Sequence, residues 1–194
     1  MATVEVLWIP LGAGQHVVRI SGRAFEALSA VVQRRPACAL YHSALVVTTA
    51  DDVRHAIEMT PIPDRHGEQR GVVAEGVVGS AWLGRFRVFR YEIHRWRDGL
   101  IPDADQATAT TTLQLEPDDA QQLLDLVPSV PTPVWGRDEL DAGEMWNSNS
   151  VTSWILHRSG IDTDPLGPPD GGRAPGWKAG IVVAARTRDG APRR

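Results

Sequence analysis

The chain has 194 residues, 42% of them apolar and 23% charged, with a net charge of −4. That composition suits a single folded domain with a hydrophobic core, and it excludes both an intrinsically disordered chain and one that binds nucleic acid through a general positive field. Met1 to Pro10 has no basic segment and no small-residue cleavage pattern, and no stretch approaches the ~20 apolar residues of a membrane span, so we expect no signal peptide, no stable membrane insertion and a cytoplasmic location.

Residues 3–9, TVEVLWI, alternate as a strand does and stop at Pro10 and the glycines of L-G-A-G at 11–14, after which a strand resumes. Ser21 can cap a helix whose Phe25, Leu28, Val31 and Val32 recur at helical spacing, ending near Arg35 and Pro36. Residues 39–48 and 53–60 are short apolar runs separated by the polar turn T-A-D-D, which predicts a hairpin with His42 on one strand and Glu58 on the other. Two more strands are expected at 71–78 and 85–94, with a phase slip at Val88 and Phe89 that suggests a bulge. Residues 117–126 read as a helix, and Pro128, Pro131 and Pro133 then impose an extended connection. A second helix should open near Asn147, bury Val151, Trp154, Ile155 and Leu156, and end at Gly160. A Pro- and Gly-rich loop over 162–176, a last strand at 180–185 and a disordered tail over 186–194 complete the expected order. The predicted class is α+β, one domain over 1–185, with an antiparallel sheet packed against helices.

A strand histidine, an acid on the neighbouring strand and a hydroxyl at a helix amino end together supply a base, an orienter and a nucleophile. His42, Glu58 and Ser148 meet that description, and the helix opening at Ser148 would aim its positive dipole end at the reacting atoms. The order Y-H-S-A-L-V-V, then A-I-E, then N-S-N-S-V-T-S-W-I-L about ninety residues later resembles the circularly permuted branch of the NlpC/P60 papain-like superfamily. There a strand histidine and a polar residue precede an N-C or N-C-N motif that opens a helix. The resemblance implies a permuted papain-like fold and, at matching positions, His42, Glu58 and Ser148 as catalytic residues, with serine replacing the usual cysteine. N-S-N-S also resembles an N-S-N-T-F motif of an uncharacterised bacterial family. The resemblance spans residues 40–60 and 145–160.

Two functions follow as expectations. One is a hydrolase or acyltransferase acting on an amide, ester or thioester of a small molecule, lipid or peptide, with Tyr41, Trp146, Asn147 and Asn149 around the substrate and no cofactor. The other is a catalytically inactive descendant that keeps the cleft as a binding or regulatory module, because a hydroxyl depends wholly on its base where a thiol is partly ionised.

Each residue also has an ordinary use. His42 can be a hydrogen-bonded core histidine, Glu58 can face solvent, Asn147 and Asn149 are good helix caps, and Trp135, Trp146, Trp154 and Trp177 suit a core. Cys38, four residues before His42 and ~13 Å away on an extended chain, is a poor nucleophile for it. The stretch W-L-G-R-F-R-V-F-R-Y-E-I-H-R-W-R at 82–97 interleaves arginine with aromatics, a pattern shared by single-stranded nucleic-acid platforms, by rims that attract anions, and by edge strands guarded against aggregation. The negative net charge and the order of residues weigh against nucleic acid. L-G-A-G lacks the third glycine of a dinucleotide fingerprint, and the six histidines form no metal motif.

Overall fold

The computed structural model describes residues 1–11, 38–62, 71–169 and 171–189. The expected helix from Ser21 to Pro36, the glycines at 12 and 14, and the end of the tail from 190 lie outside the described residues.

Among the described residues the chain is α+β, with six strands in one antiparallel sheet and three α-helices. The strands are β1 (Ala2–Pro10), β2 (Tyr41–Thr48), β3 (Arg54–Pro61), β4 (Val72–Val77), β5 (Arg90–Arg97) and β6 (Ala109–Leu115), in the spatial order β4-β5-β3-β2-β1-β6. The helices are α1 (Pro117–Leu126), α2 (Ser148–Arg158) and α3 (Trp177–Asp189). The expected hairpin is present, with β2 against β3 in the register Leu45↔Ile57.

Strand alternation sorts the sheet into two faces. On one, Val4, Val6, Trp8, Leu45, Val47, Ile57, Met59 and Ile93 join α1 and α2 in the main core. On the other, Leu7, Ile9, Ala44, Val46 and Ala56 pack with Ile101 in a smaller cluster. α1 begins with Pro117 at a position where the missing N–H costs nothing, follows it with Asp118 and Asp119 at the positive end of the helix, and buries Ala120, Leu123 and Leu124. At its other end Arg95 of β5 donates to the Leu124 carbonyl at 2.9 Å.

α2 lies at the centre. Every residue from Ser148 to Leu156 is buried, so its serines and threonine need partners inside the protein. Ser153 donates to the Trp177 carbonyl at 2.7 Å and Thr152 to the Ser43 carbonyl at 3.3 Å. Gly160, at φ 84°, ends the helix as expected.

Four expectations need correction. The run at 180–185 is not a strand but part of α3, which extends to Asp189 and so includes the first residues of the expected tail. Trp177, Ala179, Val183 and Ala184 are buried on a helical spacing, and a six-residue apolar run alone does not separate strand from buried helix. Residues 85–89 are not strand either: Ala81–Arg85 and Arg87–Phe89 are 3-10 turns, and the pairing of β5 with β3 runs from His55↔Arg97 to Pro61↔Tyr91. The irregular register falls instead on β4, between Val72 and Ala74. β6, which the sequence reading passes over, is an edge strand with alternating half-buried and exposed residues.

α3 can cross α2 closely because position 180 is glycine; a Cβ there would run into the Ser150 carbonyl oxygen and the Ser153 hydroxyl. Gly180→Val should therefore lower stability by about 1–3 kcal/mol in denaturant unfolding. Gly167→Ala, where a Cβ meets nothing, should stay within about 0.5 kcal/mol of the parent.

Candidate active site

The amino end of α2 is built by two asparagines. The Asn147 side-chain oxygen accepts from the backbone N–H of Asn149 at 2.9 Å and of Ser150 at 3.4 Å, while the Ser150 hydroxyl accepts from the Asn147 N–H at 3.1 Å. This reciprocal cap occupies two first-turn donors. Among the described residues it leaves the Ser148 N–H as the first-turn donor without a partner.

Asn149 ties the helix to the sheet. Its amide donates to the Tyr41 carbonyl at 3.0 Å and to the Pro175 carbonyl at 2.9 Å, and its oxygen accepts from the Ser43 hydroxyl at 2.9 Å. Asn147 also donates to Pro175, at 2.8 Å. The sequence reading makes Asn147 and Asn149 substrate contacts as well; both do line the cavity described below, with their polar atoms engaged in holding β2, α2 and the loop before α3 together.

A cavity of about 460 Å³ opens at this junction. Leu11, Leu40, Tyr41, His42, Pro61, Val78, Trp135, Gly136, Met145 and Pro175 surround it, with Asn147, Ser148 and Asn149 at the α2 end. Its mouth follows from the sheet. β1 pairs with β2 as far as Pro10↔Tyr41, whereas β2 and β3 pair only from Leu45↔Ile57 to Thr48↔Arg54. Beyond Leu45 the two central strands part, and both Tyr41–His42 and Pro61 reach the cavity.

The structure thus brings His42, Ser148, Tyr41, Asn147 and Asn149 to one cavity. It does not bring Glu58 or Trp146 there. The register sets Glu58 level with Ala44, two residues along β2 from His42, and directly across from His94 of β5. His94 is buried and bonds to Glu92 at 2.9 Å. Trp146 lies in the main core, 2% exposed.

Ser148 is buried at 6% exposure, and its hydroxyl has no hydrogen-bond partner among the described residues. No hydrogen bond joins it to His42 among them either. Burial alone, with no carboxylate helping, pushes the His42 ring down to about 4, so the imidazole is neutral at ordinary pH. A carboxylate in orienting contact would act in the opposite direction. The sequence reading missed the apolar walls supplied by Val78 and Met145, which are remote in the chain and carry no motif, while Trp135, one of its core tryptophans, lines the cavity as well. Among the described residues no group of three or more His, Cys, Asp or Glu side chains is gathered that could hold a metal ion.

The lowered His42 value has a consequence for stability. Between pH 6.5 and about 4 the unfolded chain takes up a proton at residue 42 that the folded chain does not, so stability falls as pH falls through that window. The loss should reach about 3 kcal/mol. Denaturant unfolding of His42→Gln across the same range should show a slope shallower by about that amount, and parallel curves would contradict the buried neutral ring.

No family model, curated protein or solved structure matches the chain.

Proposed function

We propose that the cavity at the amino end of α2 binds a small, largely apolar molecule, such as an acyl chain or an apolar peptide side chain, that presents an oxygen to Ser148. The cavity itself carries this reading: it holds about 460 Å³, has apolar walls, and concentrates polar groups at the helix end. Ligand sites of this kind run from about 300 to 1,000 Å³ with a few convergent polar groups. Ser148 supplies both a backbone N–H and a hydroxyl without other partners among the described residues, and the helix dipole favours negative charge there. On this reading the chain is a binding or regulatory module.

Titration with anilinonaphthalene sulfonate, an apolar probe with an anionic group, tests it. We expect saturable fluorescence enhancement, weakened at least about tenfold by Met145→Trp, which fills the cavity. Ser148→Ala should bind within a few-fold of the parent. Equal binding by Met145→Trp would remove the proposal.

A second reading is favoured by one observation: a serine hydroxyl without a partner among the described residues and a neutral histidine line the same cavity. Ser148 Oγ would attack a carbonyl carbon of an ester, thioester or amide as its proton passes to the His42 ring. The ring would then protonate the leaving group, and water or a second acceptor would release the acyl group. The Ser148 N–H would stabilise the oxyanion. This is the permuted papain-like arrangement reduced to a dyad.

Labelling by a fluorophosphonate tests this second reading. It should disappear in Ser148→Ala and slow by about 10²–10⁴ in His42→Gln. Because His42 is neutral above a pH of about 4, the labelling rate should hold level through pH 6.5 and fall by half only near 4. Labelling that survives Ser148→Ala, or a half-fall at 6.5, would overturn the dyad.

A further inference from the structure

Past Val78, which lines the cavity, no residue of the connection between β4 and β5 lines it. From Gly76 to Tyr91 the chain holds three arginines, Arg85, Arg87 and Arg90, and no acidic residue, within a protein of net charge −4. The two 3-10 turns in this stretch bury none of their residues. Trp82 is 63% exposed, Phe86 46%, Val88 71% and Phe89 37%. Large apolar side chains usually reach the surface singly, and a cluster of them rimmed by polar groups marks a contact site.

The display is held in shape. Phe86 N–H donates to the Leu83 carbonyl, Phe89 to Phe86, and Val78 to Phe89, at 2.8–3.0 Å. The Trp82 and Phe86 rings meet nearly edge-on with centroids 6.3 Å apart. The Arg85 guanidinium lies 3.7 Å from the Trp82 ring centre and 4.8 Å from that of Phe86. Arg90 is paired with Glu75, whereas the side chains of Arg85 and Arg87 are exposed.

We propose that residues 81–89 form a surface that docks on an anionic phospholipid bilayer, with Trp82, Phe86, Val88 and Phe89 entering the interfacial layer and Arg85 and Arg87 meeting lipid phosphates. The inference stands independently of what the cavity binds. Aromatic and apolar side chains beside exposed cations, with no acid between Gly76 and Tyr91, match the layered chemistry of an anionic membrane surface: apolar beneath, negative at the phosphates. A single-stranded RNA would also meet arginine and aromatics, but it needs an open ring face for base stacking. Here the Arg85 guanidinium occupies one face of Trp82, and Phe86 meets that ring edge-on. The mode is peripheral, since no helix among the described residues is long and apolar enough to cross a membrane.

Flotation of the full chain with phosphatidylglycerol–phosphatidylcholine vesicles and with pure phosphatidylcholine vesicles tests this. Binding is expected to the first and not the second, and to weaken as salt rises. Arg85→Gln with Arg87→Gln should weaken it about 25-fold, from about fivefold per arginine. Trp82→Ser with Phe86→Ser should weaken it at least about tenfold. Because these side chains are exposed, thermal melts of both variants should match the parent. Failure to float with the anionic vesicles would overturn the proposal, as would flotation indifferent to all four substitutions. Salt-steep retention of poly-U without vesicle binding would overturn it in favour of RNA. A solution dimer that Trp82→Ser dissociates would do so in favour of self-association.

Discussion

The arrangement depends on one buried side chain. Asn149 takes a hydroxyl from β2 at its oxygen and gives its two amide hydrogens to carbonyls at the end of β2 and before α3. It is 2% exposed, so water cannot replace these partners. A hydrogen bond of this sort adds only about 1 kcal/mol net, but a buried amide left unpaired costs more than that. The lock therefore selects one position for α2, and with it the direction in which Ser148 faces. Ser43 and His42 are neighbours on β2, so the strand commits one of them to the helix and leaves the other at the parting of β2 and β3.

The sequence is most informative where local chemistry decides. The first strand, the hairpin of residues 39–60 and the helices opening at Pro117 and Ser148 are legible because alternation, turn residues and caps act within a few positions. Strand against helix at 180–185 is not legible, since the apolar run is short and the deciding contact, α2 passing beside Gly180, is far away in the chain. The arginine–aromatic segment shows the opposite failure. Its alternation is real, but the ladders of β5 with β3 and β4 reach only to Tyr91 and Arg90, and the residues before them turn. β6 is not legible because a threonine-rich edge strand buries little on either side.

The site was legible in part. His42 and Ser148 do reach one cavity, but the capping chemistry that makes Asn147 and Asn149 visible in the sequence also uses up the groups that a substrate would need. Glu58 shows why a hairpin prediction does not place a third residue: its neighbour depends on register, which is set by β1 and β5 packing around the hairpin. The resulting register sets Glu58 opposite His94 on β5. Among the described residues no acid lines the cavity beside His42, and burial leaves its ring neutral.

The walls of the cavity come from stretches of chain around residues 11, 40–42, 61, 78, 135–136, 145–149 and 175. Apart from the helix end, each contributes one or a few side chains, and some of them, Tyr41, Val78 and Trp135, also pack against the main core. Such a site can be recut one wall at a time, changing the shape it accepts while the scaffold beneath stays as it is. Divergence among descendants of this chain would then collect at that rim, with the asparagine-anchored helix end as the fixed point against which new shapes are tried.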